Sequence, residues 1–154
     1  MDLLRLDNPS FATYVIAASL ILLKYLGHGW LTVFAMLRNN GGFLNPEDAN
    51  SGAANPKPRP GQLDPDAFVE RTRRMHRNDM ENAPAFLVGG LLFVLIQLPL
   101  LLVQLLLYGY VATRFAHALA YATGRSHEIR ATFYSIGSLI VIGMAVATLV
   151  SAIA

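Results

Sequence analysis

The chain contains no cysteine. That absence excludes disulfides, thiolate metal sites and a protein thiol nucleophile, so any thiol chemistry must use a thiol that arrives with a substrate. Charge is scarce as well: 14% of the 154 residues are Asp, Glu, Lys or Arg, against 54% hydrophobic residues. A soluble globular domain carries about 25% charged residues, so this composition fits a small integral membrane protein instead. From Asn82 to Thr113 no charged residue occurs at all. His76, His117 and His127 lack paired ligand spacing of the HExxH kind, and no metal site is expected. The N-terminus has neither a cationic leader nor a small-residue cleavage site behind an apolar core, so residues 11–37 read as a retained first span.

What is present divides into four apolar segments and one loop. The length allows about four spans of roughly 20 residues each. The first, about 11–37, follows Asn8-Pro9-Ser10, a helix-start pattern. Residues 39–65 hold Gly41, Gly42, Pro46, Pro56, Pro58, Pro60 and Pro65, and read as a loop outside the bilayer. Asp64 or Asp66 is placed to cap the next helix, about 66–98, whose first turns are too charged for lipid and should project from it. As one helix the uncharged run would be about 48 Å long, against a hydrocarbon core of about 30 Å. Leu98-Pro99 is the natural break, giving spans at about 78–98 and 99–123. A fourth span, about 127–152, opens with Glu128 in its first turn, and Pro84 is a candidate kink within the second. Apart from Arg5, Lys24 and Arg114, every Lys and Arg lies in 38–77 or 125–130. Those segments fall on one side of a four-span bundle, and the positive-inside rule makes that side cytoplasmic, with both termini outside. The predicted class is an all-α, integral membrane four-helix protomer forming a single domain over 1–154.

Polar side chains recur on single helical faces. At about 100° per residue, Arg74, Arg77, Asn78 and Glu81 share a face, as do Arg114, His117, Tyr121 and Arg125. Arg130 and Tyr134 pair one turn apart; Lys24 and His28 do the same, with Arg38 on the same side of the first helix. Ionisable groups in a membrane are costly and face a bundle interior or a wet cavity. Except for Lys24, these stripes converge at the cytoplasmic end, within one subunit or between subunits. Simpler roles are open to several of them. Arg71, Arg73 and Arg74 suit contact with anionic headgroups or solvent. Lys24 suits snorkelling or pairing with a neighbouring helix, His28 packing, and His127 a solvated turn. Tyr108, Tyr110, Tyr121 and Trp30 suit an interfacial belt. The concentrated Arg signal favours an anionic ligand: Arg74, Arg77 and Arg130 offer planar donors for carboxylate or phosphate. Asn78 and the Tyr hydroxyls complete hydrogen bonds. Glu81 accepts from a ligand ammonium or neutralises an Arg. On this ground alone, headgroups, nucleotides and peptides all remain open.

Taken together, FLNPEDA at Phe43–Ala49, VERTRRMHRNDME at Val69–Glu81 with Pro84-Ala85-Phe86 behind it, and RFAHALAY at Arg114–Tyr121 resemble the membrane-associated proteins in eicosanoid and glutathione metabolism (MAPEG). Arg130 with Tyr134, and Lys24 in the first span, extend the resemblance over nearly the whole chain. It implies a homotrimer of four-helix protomers that binds glutathione between subunits near the cytoplasmic face, with no nucleic-acid partner. Carried over by position, Arg77, Asn78 and Glu81 would hold the glutathione backbone. His117, Tyr121 and Tyr134 would add contacts, Arg74 would support them, and Arg130 would lie beside the sulfur as the catalytic group. Arg38 is carried over one residue out of register, because the family position aligns with Leu37. The implied activity is conjugation of glutathione thiolate to hydrophobic electrophiles, with reduction of lipid hydroperoxides beside it. A glutathione-dependent isomerase of prostaglandin synthase type, or a non-catalytic lipid-binding scaffold, are the alternatives. Ala131, where the isomerases carry Ser, leans towards the transferases; Tyr134 matches the isomerases better.

Overall fold

A computed structural model describes residues 3–154. Among the described residues four helices carry the fold: α1 (Pro9–Asn39), α2 (Ala67–Leu95), α3 (Leu100–Ala122) and α4 (His127–Ile153), with a 3₁₀ turn at Pro46–Ala49. The caps follow the sequence signals. The Asn8 side chain accepts from the Ser10 amide at 3.1 Å and Pro9 takes the first helical position. Asp66 rather than Asp64 caps α2, accepting from the amides of Phe68 and Val69, both at 2.9 Å. These amide hydrogen bonds, that from Val69 foremost, hold its carboxyl below the usual carboxylate range. Glu128 lies in the first turn of α4. The break between α2 and α3 comes slightly earlier than Leu98-Pro99: α2 stops at Leu95, Gln97 takes a φ of 54°, and Pro99 precedes the first residue of α3. Helix α2 continues through Pro84.

Helices α1 and α4 both pack on α2 and α3, with no close backbone approach to each other. The core between them holds Ala17, Ile21, Phe86, Phe93, Leu107, Tyr110 and Met144. Phe86 and Tyr110 stack with ring centroids 4.0 Å apart, and the Tyr110 hydroxyl donates to the Asn82 carbonyl at 3.1 Å. Close approach of α3 and α4 depends on Gly137. A Cβ there would lie 2.9 Å from Thr113 Oγ1, and that hydroxyl is tied to the Tyr110 carbonyl at 2.7 Å. Gly137→Leu is therefore expected to push the two helices apart and cost about 1–3 kcal/mol, read as a lowered denaturation midpoint in detergent.

Three helices, α1, α3 and α4, are long and apolar enough to cross a membrane, one fewer than the four spans expected. The reason is in α2. Its uncharged part, from Asn82 to Leu95, is about 20 Å long, short of a hydrocarbon core of about 30 Å. The segment between α1 and α2 is a loop, and an ordered one. Gln62, 1% exposed, donates to Asn40 Oδ1 at 2.6 Å and accepts from Asn55 Nδ2 at 2.9 Å. Arg73 fastens the loop to α2, donating to the Gly42 carbonyl and to Glu70, both at 2.5 Å. Arg73 is thus committed to the protein itself, which corrects its reading as a headgroup or solvent contact.

Candidate functional site

One polar network is buried among the helices. Lys24 of α1 donates to both carboxylate oxygens of Asp79 on α2, at 2.6 and 2.7 Å. His28 Nδ1 lies 2.6 Å from Asp79 Oδ2, and Arg114 of α3 approaches the other oxygen at 3.6 Å. Lys24, Asp79 and Arg114 are all buried. Arg114 also donates through Nη2 to the Asn78 side-chain carbonyl. This fixes the Asn78 amide: its oxygen is occupied, and its NH₂ is left as the group to offer. Lys24 therefore has the structural partner foreseen for it. His28 does more than pack, because its ring nitrogen meets a buried carboxylate.

A second cluster lies where α2 meets the α3–α4 turn. Arg71, Arg74, Arg125 and Arg130 surround a cleft of about 190 Å³ together with Tyr121 and Gly124. The turn is built to place these groups. Gly124, at φ 66°, closes α3 as its amide bonds the Tyr121 carbonyl at 3.1 Å and the Arg125 amide bonds that of Ala120 at 2.8 Å. This is the left-handed C-cap that glycine favours. The Arg130 guanidinium lies over the Tyr121 ring, its Cζ 4.5 Å from the centroid. The aromatic face steadies the cation; its Nε donates to the Ser126 carbonyl at 3.4 Å, and its terminal N–H groups are left free to donate. Behind Tyr121 stands buried His117, with ring centroids 5.2 Å apart. Larger hollows, about 410 and 580 Å³, lie under the loop against Val33, Leu37 and Phe43. Glu47 and Asp48 line the first of these, the wrong sign for an anion. The cationic cleft is the better anion site.

A membrane bundle with a guanidinium cluster at one end is compatible with several protein families, and sequence comparison decides among them. The profile of the MAPEG family matches residues 14–150. The chain belongs to the MAPEG family. It is 32% identical over 140 residues to microsomal glutathione S-transferase 1 of Rattus norvegicus, covering 91% of this chain and 89% of that protein. The Homo sapiens protein of the same name is 31% identical over the same length and coverage. Prostaglandin E synthase of Homo sapiens is 29% identical over 136 residues, covering 88% of this chain and 86% of that one. Family membership and three long apolar helices make this MAPEG protein an integral membrane protein.

Within this MAPEG protomer, Arg74, Tyr121 and Arg130 share the cleft, His117 backs it, and Asn78 is held by Arg114 one layer deeper. The other candidates are not brought to it. Arg77, Glu81 and Tyr134 are exposed, and so is Arg38 in the last turn of α1. Neither Arg77 nor Glu81 has a salt-bridge partner among the described residues. The stripes therefore converge only in part within one subunit. Two features went unread in the sequence. Arg71 lines the cleft, although its position suggested only headgroup or solvent contact. Asp79 anchors the buried network; its signal was present, because it stands at i, i+4 from Met75, on the buried face of α2.

Proposed function

We propose that the protein is a membrane-bound glutathione transferase that also reduces lipid hydroperoxides. The observation that carries this reading is Arg130, seated on Tyr121 at a cleft whose charged side chains are all guanidiniums. Glutathione reacts as its thiolate, and a guanidinium beside the sulfur favours the anion. Arg suits this role because it keeps its charge when partly buried. The relatives named microsomal glutathione S-transferase 1 support the choice of thiol. In conjugation the thiolate sulfur forms a bond to the electrophilic carbon, and the leaving group departs with its electron pair. In hydroperoxide reduction the sulfur takes the distal oxygen, the O–O bond breaks, and the released alkoxide takes a proton. A second glutathione then converts the sulfenic acid to the disulfide and water.

Arg74, Arg77, Asn78, Glu81, His117, Tyr121 and Tyr134 bind glutathione in this reading, with Arg38 at the edge, and a homotrimer completes the site. The exposure of Arg77, Glu81 and Tyr134 supports assembly: polar groups on membrane helices are costly unless a neighbour or a wet cavity faces them. Helix α2 also crosses the bilayer, since Lys24 neutralises Asp79, His28 meets its Oδ2, and the polar turn can then enter. The site then lies at the cytoplasmic face, on the side where residues 38–77 and 125–130 carry nine of the 12 Lys and Arg. A hydrophobic electrophile reaches it from the membrane.

Glu81 accepts the glutathione ammonium. Glu81→Gln removes a charge-assisted hydrogen bond of about 1.5–3 kcal/mol, so KM for glutathione should rise about tenfold or more, with a smaller change in kcat. Conjugation of a chlorinated aromatic by purified protein tests the whole reading. Absence of both turnover and a glutathione-dependent thermal shift would overturn it. Similarity to prostaglandin E synthase, together with Tyr134, favours a lipid-peroxide isomerase as the second reading; Ala131 weighs against it.

A further inference from the structure

On the outer side of the α3–α4 seam lies a second hollow of about 240 Å³. Its walls are Ala116, Leu119 and Ala120 of α3 and Ile129 and Phe133 of α4, and its one charged residue is Arg125. Arg125 also lines the guanidinium cleft on the other side of the turn. The hollow is therefore an apolar trough with one cation at its end, and that cation stands beside a further three. Leu119 and Ile129, 65% and 43% exposed, leave the trough open to whatever surrounds the bundle.

We propose that this trough binds a single-chain amphiphile with a carboxylate head, of the long-chain fatty acid class. The chain lies against Leu119, Ile129 and Phe133, and the head meets Arg125, with Arg71 across the cleft. Three observations favour this occupant. The walls carry no acid, so nothing repels an anion, and the Thr123 hydroxyl already donates to the Leu119 carbonyl at 2.7 Å, which leaves Arg125 as the polar side chain to be met. A guanidinium matches a carboxylate with two parallel donors. Thr123 and Arg125 place one end of the trough at the α3–α4 turn, on the side of the bundle where most Lys and Arg lie and where a fatty acid in a bilayer would hold its head. A hollow of this volume takes part of one chain rather than a diacyl lipid. The assignment stands on the trough and Arg125 and does not depend on glutathione.

The test uses the full-length protein in nanodiscs of zwitterionic lipid, with an oleate analogue that carries a diazirine on its chain. Photolabelling is expected on peptides within 116–133. Excess oleate should suppress it, and methyl oleate, of the same chain but without charge, should not. Arg125→Gln should reduce labelling about tenfold, as expected for loss of a charge-assisted contact, and Phe133→Ser should reduce it with Arg125 intact. Equal competition by methyl oleate, or unchanged labelling in Arg125→Gln, would overturn the proposal. Equal competition by phosphatidylglycerol would also overturn it, because the site would then take a phospholipid headgroup. A thermal shift with glutathione, measured in the same nanodiscs, reports on the transferase reading separately; its loss would leave the labelling result standing, and the converse also holds. Far-ultraviolet circular dichroism and the denaturation midpoint without glutathione show that each variant is folded.

Discussion

Replacing Arg130 with alanine is expected to leave the bundle folded and glutathione bound, and to remove most of the bound thiolate. The side chain is at the surface of the cleft, packed on Tyr121 and bonded within its own helix only to the Ser126 carbonyl, at 3.4 Å. Its loss removes little packing. Its charge is the greater matter. A cation within about 4–6 Å of an ionisable group shifts its pKa by about 1–3 units. The thiol pKa of the complex should rise by that amount in Arg130→Ala. The sign follows from the charge: the guanidinium stabilises the anion, so the wild-type thiol ionises at lower pH. Activity in the variant should be reduced at neutral pH and partly regained as pH is raised. Ultraviolet absorbance of the bound thiolate, titrated in both proteins, measures the shift directly. Arg130→Lys should keep part of the effect, since it retains the charge but loses the planar fork. An unchanged titration in Arg130→Ala would assign thiolate stabilisation to Arg74 or to the remaining cations of the cleft. Conjugation at saturating glutathione should fall about tenfold or more, following the lost thiolate fraction.

The helices were legible because two kinds of signal agreed. Long apolar runs marked their bodies, and Asn8-Pro9, Asp66 and Pro99 marked their starts. The number of spans was harder to read. The charged face of α2 counts against insertion when each residue is taken singly, yet Asp79 is paired with Lys24 from a helix far away in sequence. Hydropathy along the chain does not see such a pair. The same limit applies to the site. Helical periodicity grouped Arg114 with His117 and Tyr121, and the structure keeps them on one side of α3. It does not show that Arg114 reaches across to Asn78, or that Arg71 turns into the cleft and Arg73 away to the Gly42 carbonyl. Neighbours on one helix are read from spacing; partners on different helices depend on packing angles that spacing does not contain. Exposure of Arg77, Glu81 and Tyr134 was not legible for a related reason, since periodicity gives a shared face but not what covers it.

Asp79→Asn should be among the most destabilising single substitutions in the chain. Asparagine keeps the shape but removes the charge that holds Lys24, His28 and Arg114 together. Lys24 would be left buried with no carboxylate, and breaking a buried ion pair from one side costs about 3–5 kcal/mol. Lys24→Met should be costly for the mirror-image reason, leaving Asp79 with His28 and the more distant Arg114. The double variant Lys24→Met/Asp79→Asn should be less destabilised than the sum of the two, because neither charge is then stranded. Denaturation midpoints of the three proteins in detergent give the coupling. Strict additivity would mean that the pair makes no joint contribution to stability. A second readout separates structure from function. Asp79 steadies Arg114, and Arg114 holds the oxygen of Asn78, so Asp79→Asn should free the Asn78 amide to rotate. KM for glutathione should then rise even under conditions where the variant is fully folded. Arg114→Lys should raise KM in the same direction with Asp79 and Lys24 still paired, because a lysine keeps the charge yet cannot reproduce the guanidinium geometry that meets Asn78 and Asp79 together. A buried ion pair in this protein thus acts twice: it lets a polar turn of α2 lie among apolar helices, and through Arg114 it sets which atom of the Asn78 amide is left free to donate.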